Sequence, residues 1–142
     1  MYLLDANILL YAFDESSVHH DRIRTWLRNA LESGKSLGLP WISVWAFIRI
    51  TTNRRTYPEP LTARAAIAVI QVLLKNQNVI LVSPGSGHLE LLQNVMDQGQ
   101  VSGPGATDAA LAACALELSA TMVTVDRGFR RFPKLKLLDP TR

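Results

Sequence analysis

Short apolar runs alternate along the chain with longer segments of helical period. Tyr2–Leu4, Val79–Val82 and Thr121–Val125 are rich in Leu, Val and Ile without strict polar alternation, and Leu135–Leu138 is a weaker fourth run. Such runs predict strands buried on both faces, as in a parallel sheet. Between them, Ile23, Trp26, Leu27, Ala30 and Leu31 recur at i, i+3, i+4, i+7 and i+8, the apolar stripe of a helix that Gly34 is placed to stop. The segment Trp41 to Thr52, after Pro40, is too apolar for an exposed helix and predicts one packed on most sides. Leu61–Leu74 resumes helical period with Thr62 as candidate cap, and Ser86–Asp97 would turn Leu89, Leu92, Val95 and Met96 inward. The stretch 99–105 reads as a flexible connector, and alanine-rich Ala106–Leu118 as a strong helix with Thr107 as candidate N-cap. Strands alternating with helices predict an α/β fold around a mainly parallel sheet, in one domain spanning 1–142.

Composition bounds this picture without changing it. A chain of 142 residues that is 48% apolar and 19% charged can bury a core and is too short for two ordinary domains. Disorder, collagen-like repeats and coiled coil are excluded by the same numbers. The single cysteine, Cys114, has no internal partner, which fits a reducing cytoplasm. No apolar run approaches a membrane span, and the opening MYLLDAN, with its acid and no basic stretch, is not expected to be a signal peptide. A net charge of +3 points only weakly to a nucleic-acid partner.

Three aspartates carry the chemistry. Asp5 follows the first predicted strand, Asp126 follows the strand at Thr121–Val125, and Asp108 opens the alanine-rich helix. In an open parallel sheet, ligands bind beyond the carboxyl ends of the strands, so topology alone brings the three to one rim. Asp108 taken singly could be a first-turn acid favoured by the helix dipole, and Asp126 a turn cap. An acid at the end of a buried strand is costly unless paired or metal-bound, which makes Asp5 harder to dismiss. Three carboxylates on one rim repel each other, and a hard divalent cation, Mg²⁺ or Mn²⁺, removes that conflict. Such ions commonly position water for phosphodiester cleavage.

Other chemistries find less support. His19 and His20 are adjacent and would point about 100° apart on a helix, while His88 and Cys114 are remote, so a zinc site is not expected. No G-x-S-x-G elbow and no G-x-x-x-x-G-K-[ST] loop occurs.

The segments Leu3-Leu4-Asp5-Ala6-Asn7-Ile8-Leu9-Leu10-Tyr11, Ala46-Phe47-Ile48-Arg49-Ile50-Thr51-Thr52-Asn53, Thr107-Asp108-Ala109-Ala110-Leu111-Ala112-Ala113 and Thr121–Phe129 together resemble the PIN-domain ribonucleases, specifically the VapC-type toxins of bacterial toxin–antitoxin pairs. The resemblance runs in order across essentially the whole chain. It implies a three-layer α/β/α sandwich and an Mg²⁺-dependent endoribonuclease, with Mn²⁺ as the other candidate ion. Asp5 and Asp108 would carry the principal metal-binding roles, with Asp126 completing the cluster directly or through water. Asn7 matches a family position that hydrogen-bonds the first aspartate, and Thr124 matches a small hydroxyl residue. A homodimer and a VapB-like antitoxin whose tail covers the acidic site are implied as partners, besides RNA.

One departure concerns a glutamate that PIN domains usually carry where this chain has Ala46; no Asp or Glu occurs from Ser33 to Pro58. A related branch of VapC-like proteins carries apolar residues there. The change suggests one tightly held Mg²⁺, with any second ion arriving on the RNA phosphate. Basic residues gain meaning beside such a site. Arg49, Arg54 and Arg55 lie in the acid-free stretch, and Arg127 leads a C-terminal run that includes Arg130, Arg131, Lys134 and Lys136. These form a candidate rim for the RNA backbone. Trp41, Trp45 and Phe47, at helical spacing, read as core or partner-packing residues ahead of base-stacking ones. Two alternatives stay open: a catalytically weakened PIN module acting through RNA or partner binding, and a haloacid-dehalogenase-like phosphatase, whose chemistry wants a second acid where Asn7 stands.

Overall fold

Leu3 and Leu4 are both fully buried yet belong to different cores, because successive strand residues point to opposite faces. In the computed structural model, which describes residues 1–142, they lie on β1 (Tyr2–Leu4), the centre of a five-stranded sheet. The other strands are β2 (Leu37–Pro40), β3 (Val79–Val82), β4 (Thr121–Val123) and β5 (Lys136–Leu138). Their order is β3-β2-β1-β4-β5, and every neighbouring pair is parallel. Helices α1 (Ala6–Phe13), α2 (His20–Glu32), α3 (Trp41–Thr51) and α4 (Ala63–Leu74) cover one face, where Ile8, Ile23, Phe47 and Ile70 pack on Leu4 and Val123. Helices α5 (His88–Gly99) and α6 (Ala106–Glu117) cover the other, setting Val95, Leu111 and Ala112 against Leu3 and Met122. This is the three-layer α/β/α sandwich expected, with a wholly parallel sheet.

The connections make a crevice. From β1 the chain moves outward through β2 to β3, then returns to the far side of β1 as β4. Past β1 it enters α1 on one face. Past β4 it enters a 3₁₀ turn, Arg127–Arg131, whose Phe129 packs on the other face. The loops after these two neighbours therefore part, which is the switch point where doubly wound sheets bind ligands.

Several local expectations need correction. The sequence pattern placed no strand at Leu37–Pro40 and no helix at Ala6–Phe13. The strand at Thr121 stops at Val123, and the last one begins at Lys136. Leu89 was expected inward but lies in the opening turn of α5 and is 79% exposed. Thr107 does not cap α6; Gly105 holds that position with no side-chain bond, because a 3₁₀ turn at Gly103–Gly105 feeds directly into the helix. The stretch 99–105 accordingly has defined structure. Gly99 ends α5 so close to Phe132 that a Cβ there would lie 2.7 Å from the ring, and Gln100 turns the chain in the left-handed region (φ 54).

Thr62 does cap α4, its hydroxyl accepting from the Ala65 amide at 3.1 Å. Thr62→Ala is expected to cost about 1 kcal/mol in urea unfolding with an unchanged m-value. No helix is long and apolar enough to cross a membrane.

Candidate active site

Asp5 leaves β1 with its amide still bonded to the Val123 carbonyl of β4 at 3.0 Å, then serves as N-cap of α1. Its Oδ1 accepts from the Ala6 amide at 2.7 Å. Its Oδ2 accepts from Asn7 Nδ2 at 2.9 Å and from the Thr124 hydroxyl at 2.7 Å. Thr124 is buried one residue past β4, and its oxygen also accepts from Asn7 Nδ2 at 3.1 Å and the Asp126 amide at 3.0 Å. Asn7 closes the circuit, its Oδ1 accepting from the Val125 amide at 3.4 Å. The network ties the ends of β1 and β4 together. It also explains why an amide, and no second acid, follows Asp5 at this spacing: Asn7 donates to the carboxylate.

Below this rim, the buried Ser43 hydroxyl of α3 donates to the Leu4 carbonyl at 2.7 Å, fixing α3 under the end of β1. No local pattern marks Ser43 for this role, since a serine within an apolar helix has many uses.

Asp126 caps the 3₁₀ turn, accepting from the Gly128 amide at 2.8 Å. Asp108 stands in the first turn of α6 and pairs with Arg131 at 3.3 Å, both side chains being 39% exposed. Arg131 in turn lies over the Phe132 ring, 5.4 Å from its centre. The sequence placed Arg131 only in a basic run; its pairing across 23 residues is a product of the fold.

Electrostatics couple the three acids. Burial pushes the Asp5 carboxyl above its ordinary value, the Thr124 and Ala6 hydrogen bonds pull it back, and Asp108 and Asp126 push it up again. Burial likewise raises Asp108, with Asp126 adding to the rise and Arg131 opposing it. Asp5 thus senses both other acids and Asp108 senses Asp126, and added positive charge would stabilise the ionised forms of Asp5 and Asp108.

The donor set suits a hard cation: mutually repelling carboxylate oxygens, no sulfur, and a charge that burial makes expensive. No three His, Cys, Asp or Glu side chains stand close enough to ligate one ion together. Asp108 is engaged with Arg131, and one oxygen of Asp126 with Gly128.

The expected basic residues divide. Arg127 lines cavities beside Asp126. Arg49 is exposed on a separate cavity between α3 and α6, together with Ala46, Ala106 and Thr107. Ala46 thus faces the start of α6 with a methyl group where the resemblance anticipates a carboxylate. Arg54 and Arg55 are exposed in the turn after α3 and make no ion pair. Of the three aromatics, Phe47 is fully buried, whereas Trp41 and Trp45 are 36% and 62% exposed and are not core. The helical stripe has a wet edge, and spacing alone did not reveal where it begins.

A family model described as PIN domain matches residues 2–135. Two Mycobacterium tuberculosis proteins, named Ribonuclease VapC37 and Ribonuclease VapC25, are each 34% identical to this chain. The matches cover 99% of this chain and 97% and 99% of those proteins. Among solved structures, VapBC-1 from nontypeable Haemophilus influenzae has a TM-score of 0.70 at 21% identity, over 99% of this chain and 98% of that one. VapBC2 from Rickettsia felis, bound to a DNA fragment from its promoter, has a TM-score of 0.70 at 18% identity, over 96% of each chain. Those two speak for the fold. With the family model spanning nearly the whole sequence and full-length relatives at this identity, the chain belongs to the PIN domain family, in its VapC branch.

Proposed function

We propose that this chain is a divalent-metal-dependent endoribonuclease, the toxin of a type II toxin–antitoxin pair, formed by residues 1–142 as one PIN domain. The observation that carries the reading is the Asp5 carboxylate, held by three hydrogen bonds at the switch point between β1 and β4 with Asp108 and Asp126 acting on its charge. The ribonuclease names of the relatives support the activity. The solved VapBC assemblies support a VapB-like antitoxin as partner. A homodimer follows from the family resemblance.

The reaction is hydrolysis: a water oxygen adds to phosphorus, one P–O ester bond breaks, and the departing ribose oxygen takes a proton. The chemistry a bound Mg²⁺ or Mn²⁺ supplies is Lewis acidity toward water and the phosphate oxygens. Asp5 and Asp108 would hold the ion, with Asp126 completing its surroundings through water. Thr124 and Asn7 fix the Asp5 carboxylate in one orientation, so ordering it costs nothing when substrate arrives. Arg131 pairs with Asp108 and would have to release it for that carboxylate to hold the ion. Arg127 and Arg130, exposed beside Asp126, draw the RNA backbone toward the carboxylates without specifying sequence.

Chelation tests the reading. Cleavage of total RNA by the purified protein should stop in excess EDTA and return with Mg²⁺ or Mn²⁺, giving discrete new 5′ ends. Cleavage indifferent to EDTA would overturn the metal dependence, and no cleavage with either ion would overturn the nuclease.

A further inference from the structure

A cavity of about 530 Å³ opens from the acidic rim toward the start of α2. Its lining joins Asn7 and the acids Asp126 and Asp139 to the aromatic residues Tyr11 and His19 and the arginines Arg127 and Arg142. Its size falls in the ~300–1,000 Å³ range that holds small ligands. The Tyr11 and His19 rings stand 5.3 Å apart, tilted at 58°, and both residues are half-buried, so the pair is held in place. The neighbouring His20 supports it from behind, its buried ring donating from Nδ1 to the Tyr11 carbonyl at 2.8 Å. Within the chain the Tyr11 hydroxyl and the His19 ring nitrogens have no hydrogen-bond partner. Arg127 makes no ion pair, whereas Arg142 is engaged with Asp139, which lines the same cavity.

We propose that this cavity is a nucleotide subsite, taking one RNA nucleotide adjacent to the scissile phosphate, with its base against Tyr11 and His19 and its phosphate toward Arg127. The proposal rests on the endoribonuclease reading and extends it to where the RNA is gripped. Aromatic faces accept any base by stacking, and the unpaired polar atoms of Tyr11 and His19 add the hydrogen bonds by which one base is preferred. A guanidinium binds phosphate oxygens bidentately, and Arg127 is free to do so. The phosphate is drawn to Arg127 and repelled by Asp126 and Asp139, and the base takes the aromatic surface of Tyr11 and His19. A protein segment is the competing occupant. A mostly polar cavity that joins flat aromatic groups to an unpaired guanidinium fits a nucleotide better than an apolar peptide side chain.

His19→Ala and His19→Phe decide the matter, since His19 holds the N-cap position of α2 with no side-chain hydrogen bond to the helix for either change to remove. For His19→Ala, KM for a short single-stranded RNA is expected to rise roughly 10-fold with kcat changed much less. The preference at one nucleotide beside the cut should relax in 5′-end maps. His19→Phe should restore KM and leave the preference relaxed, because it stacks without hydrogen bonding. Arg127→Gln should raise KM at every sequence and flatten its salt dependence. The same RNA, fluorescently labelled, is titrated in EDTA against wild type and His19→Ala by anisotropy. Cleavage by wild type with KM, cut pattern and anisotropy unchanged in His19→Ala overturns the subsite and spares the nuclease. Absence of wild-type cleavage overturns the nuclease, and the anisotropy difference then decides the cavity by itself. Weakened antitoxin binding with unaltered RNA binding assigns the cavity to protein and overturns the proposal.

Discussion

Asp5→Asn is expected to lower RNA cleavage by at least roughly 100-fold, beyond the ~10–100-fold that altering the support of a metal ligand costs. Three donors converge on this side chain: the Ala6 amide, Asn7 Nδ2 and the Thr124 hydroxyl. An asparagine offers one acceptor oxygen, and its own amide would meet the Asn7 amide or a Thr124 oxygen that already accepts two bonds. The variant therefore loses the charge that holds a cation and disturbs the circuit that orients it. It should also change how stability depends on pH. Asp5 and Asp108 are raised by burial in the folded state, so the native protein binds these protons more tightly than the unfolded chain. Stability from this source is present below the ordinary value of 3.8 and is lost as pH rises from there through the raised folded values. Thermal melts in EDTA should fall across that window in wild type and fall less in Asp5→Asn. Mg²⁺ should raise the wild-type midpoint at neutral pH more than at pH 4, by binding the ionised form. Equal pH slopes in the two proteins would show that Asp5 is not the strained carboxylate.

The positions of the acids were legible in the sequence, and their surroundings were not. Asp5 and Asp126 each follow a run of buried apolar residues, and parallel topology then places them on one rim whatever the loops do. The strand between β1 and β3 was harder. β2 reads Leu-Gly-Leu-Pro, without a β-branched residue and running straight into α3, so propensity argued against a strand that burial makes. Gly38 belongs there because a Cβ would lie 2.7 Å from the Leu3 side chain on the neighbouring strand. Helix α1 was hidden inside the Asp5 motif, although Asp5 followed by Ala-Asn-Ile-Leu is itself an N-cap signal that would have found it. Arg131 on Asp108 and Ser43 on Leu4 join residues 23 and 39 apart, contacts that no local pattern encodes. The absent glutamate at Ala46 was legible, and the structure adds its neighbours: a cavity shared with Arg49 and Thr107.

Thr124→Val should show how much of the site depends on one hydroxyl. Thr124 uses its whole hydrogen-bonding capacity, donating to Asp5 and accepting from Asn7 and from the Asp126 amide, in a position only 3% exposed. Valine keeps the shape and leaves three polar groups each short of a partner, for an expected loss of ~1–3 kcal/mol in urea unfolding. Activity should fall further than stability alone explains, by ~10–100-fold under conditions where the variant is fully folded. The hydrogen bond from Thr124 is the strongest influence holding the Asp5 carboxyl down against burial, so its removal lets that carboxyl rise further. Cleavage that requires ionised Asp5 will then need a higher pH, and the acid limb of the rate profile should move upward in the valine variant. Thr124→Ser keeps the donor and both acceptor sites, and it should restore the profile even where the lost methyl costs some stability. A valine variant with the wild-type acid limb would mean that Asn7 and Ala6 suffice to hold Asp5, and that Thr124 serves the strand ends alone.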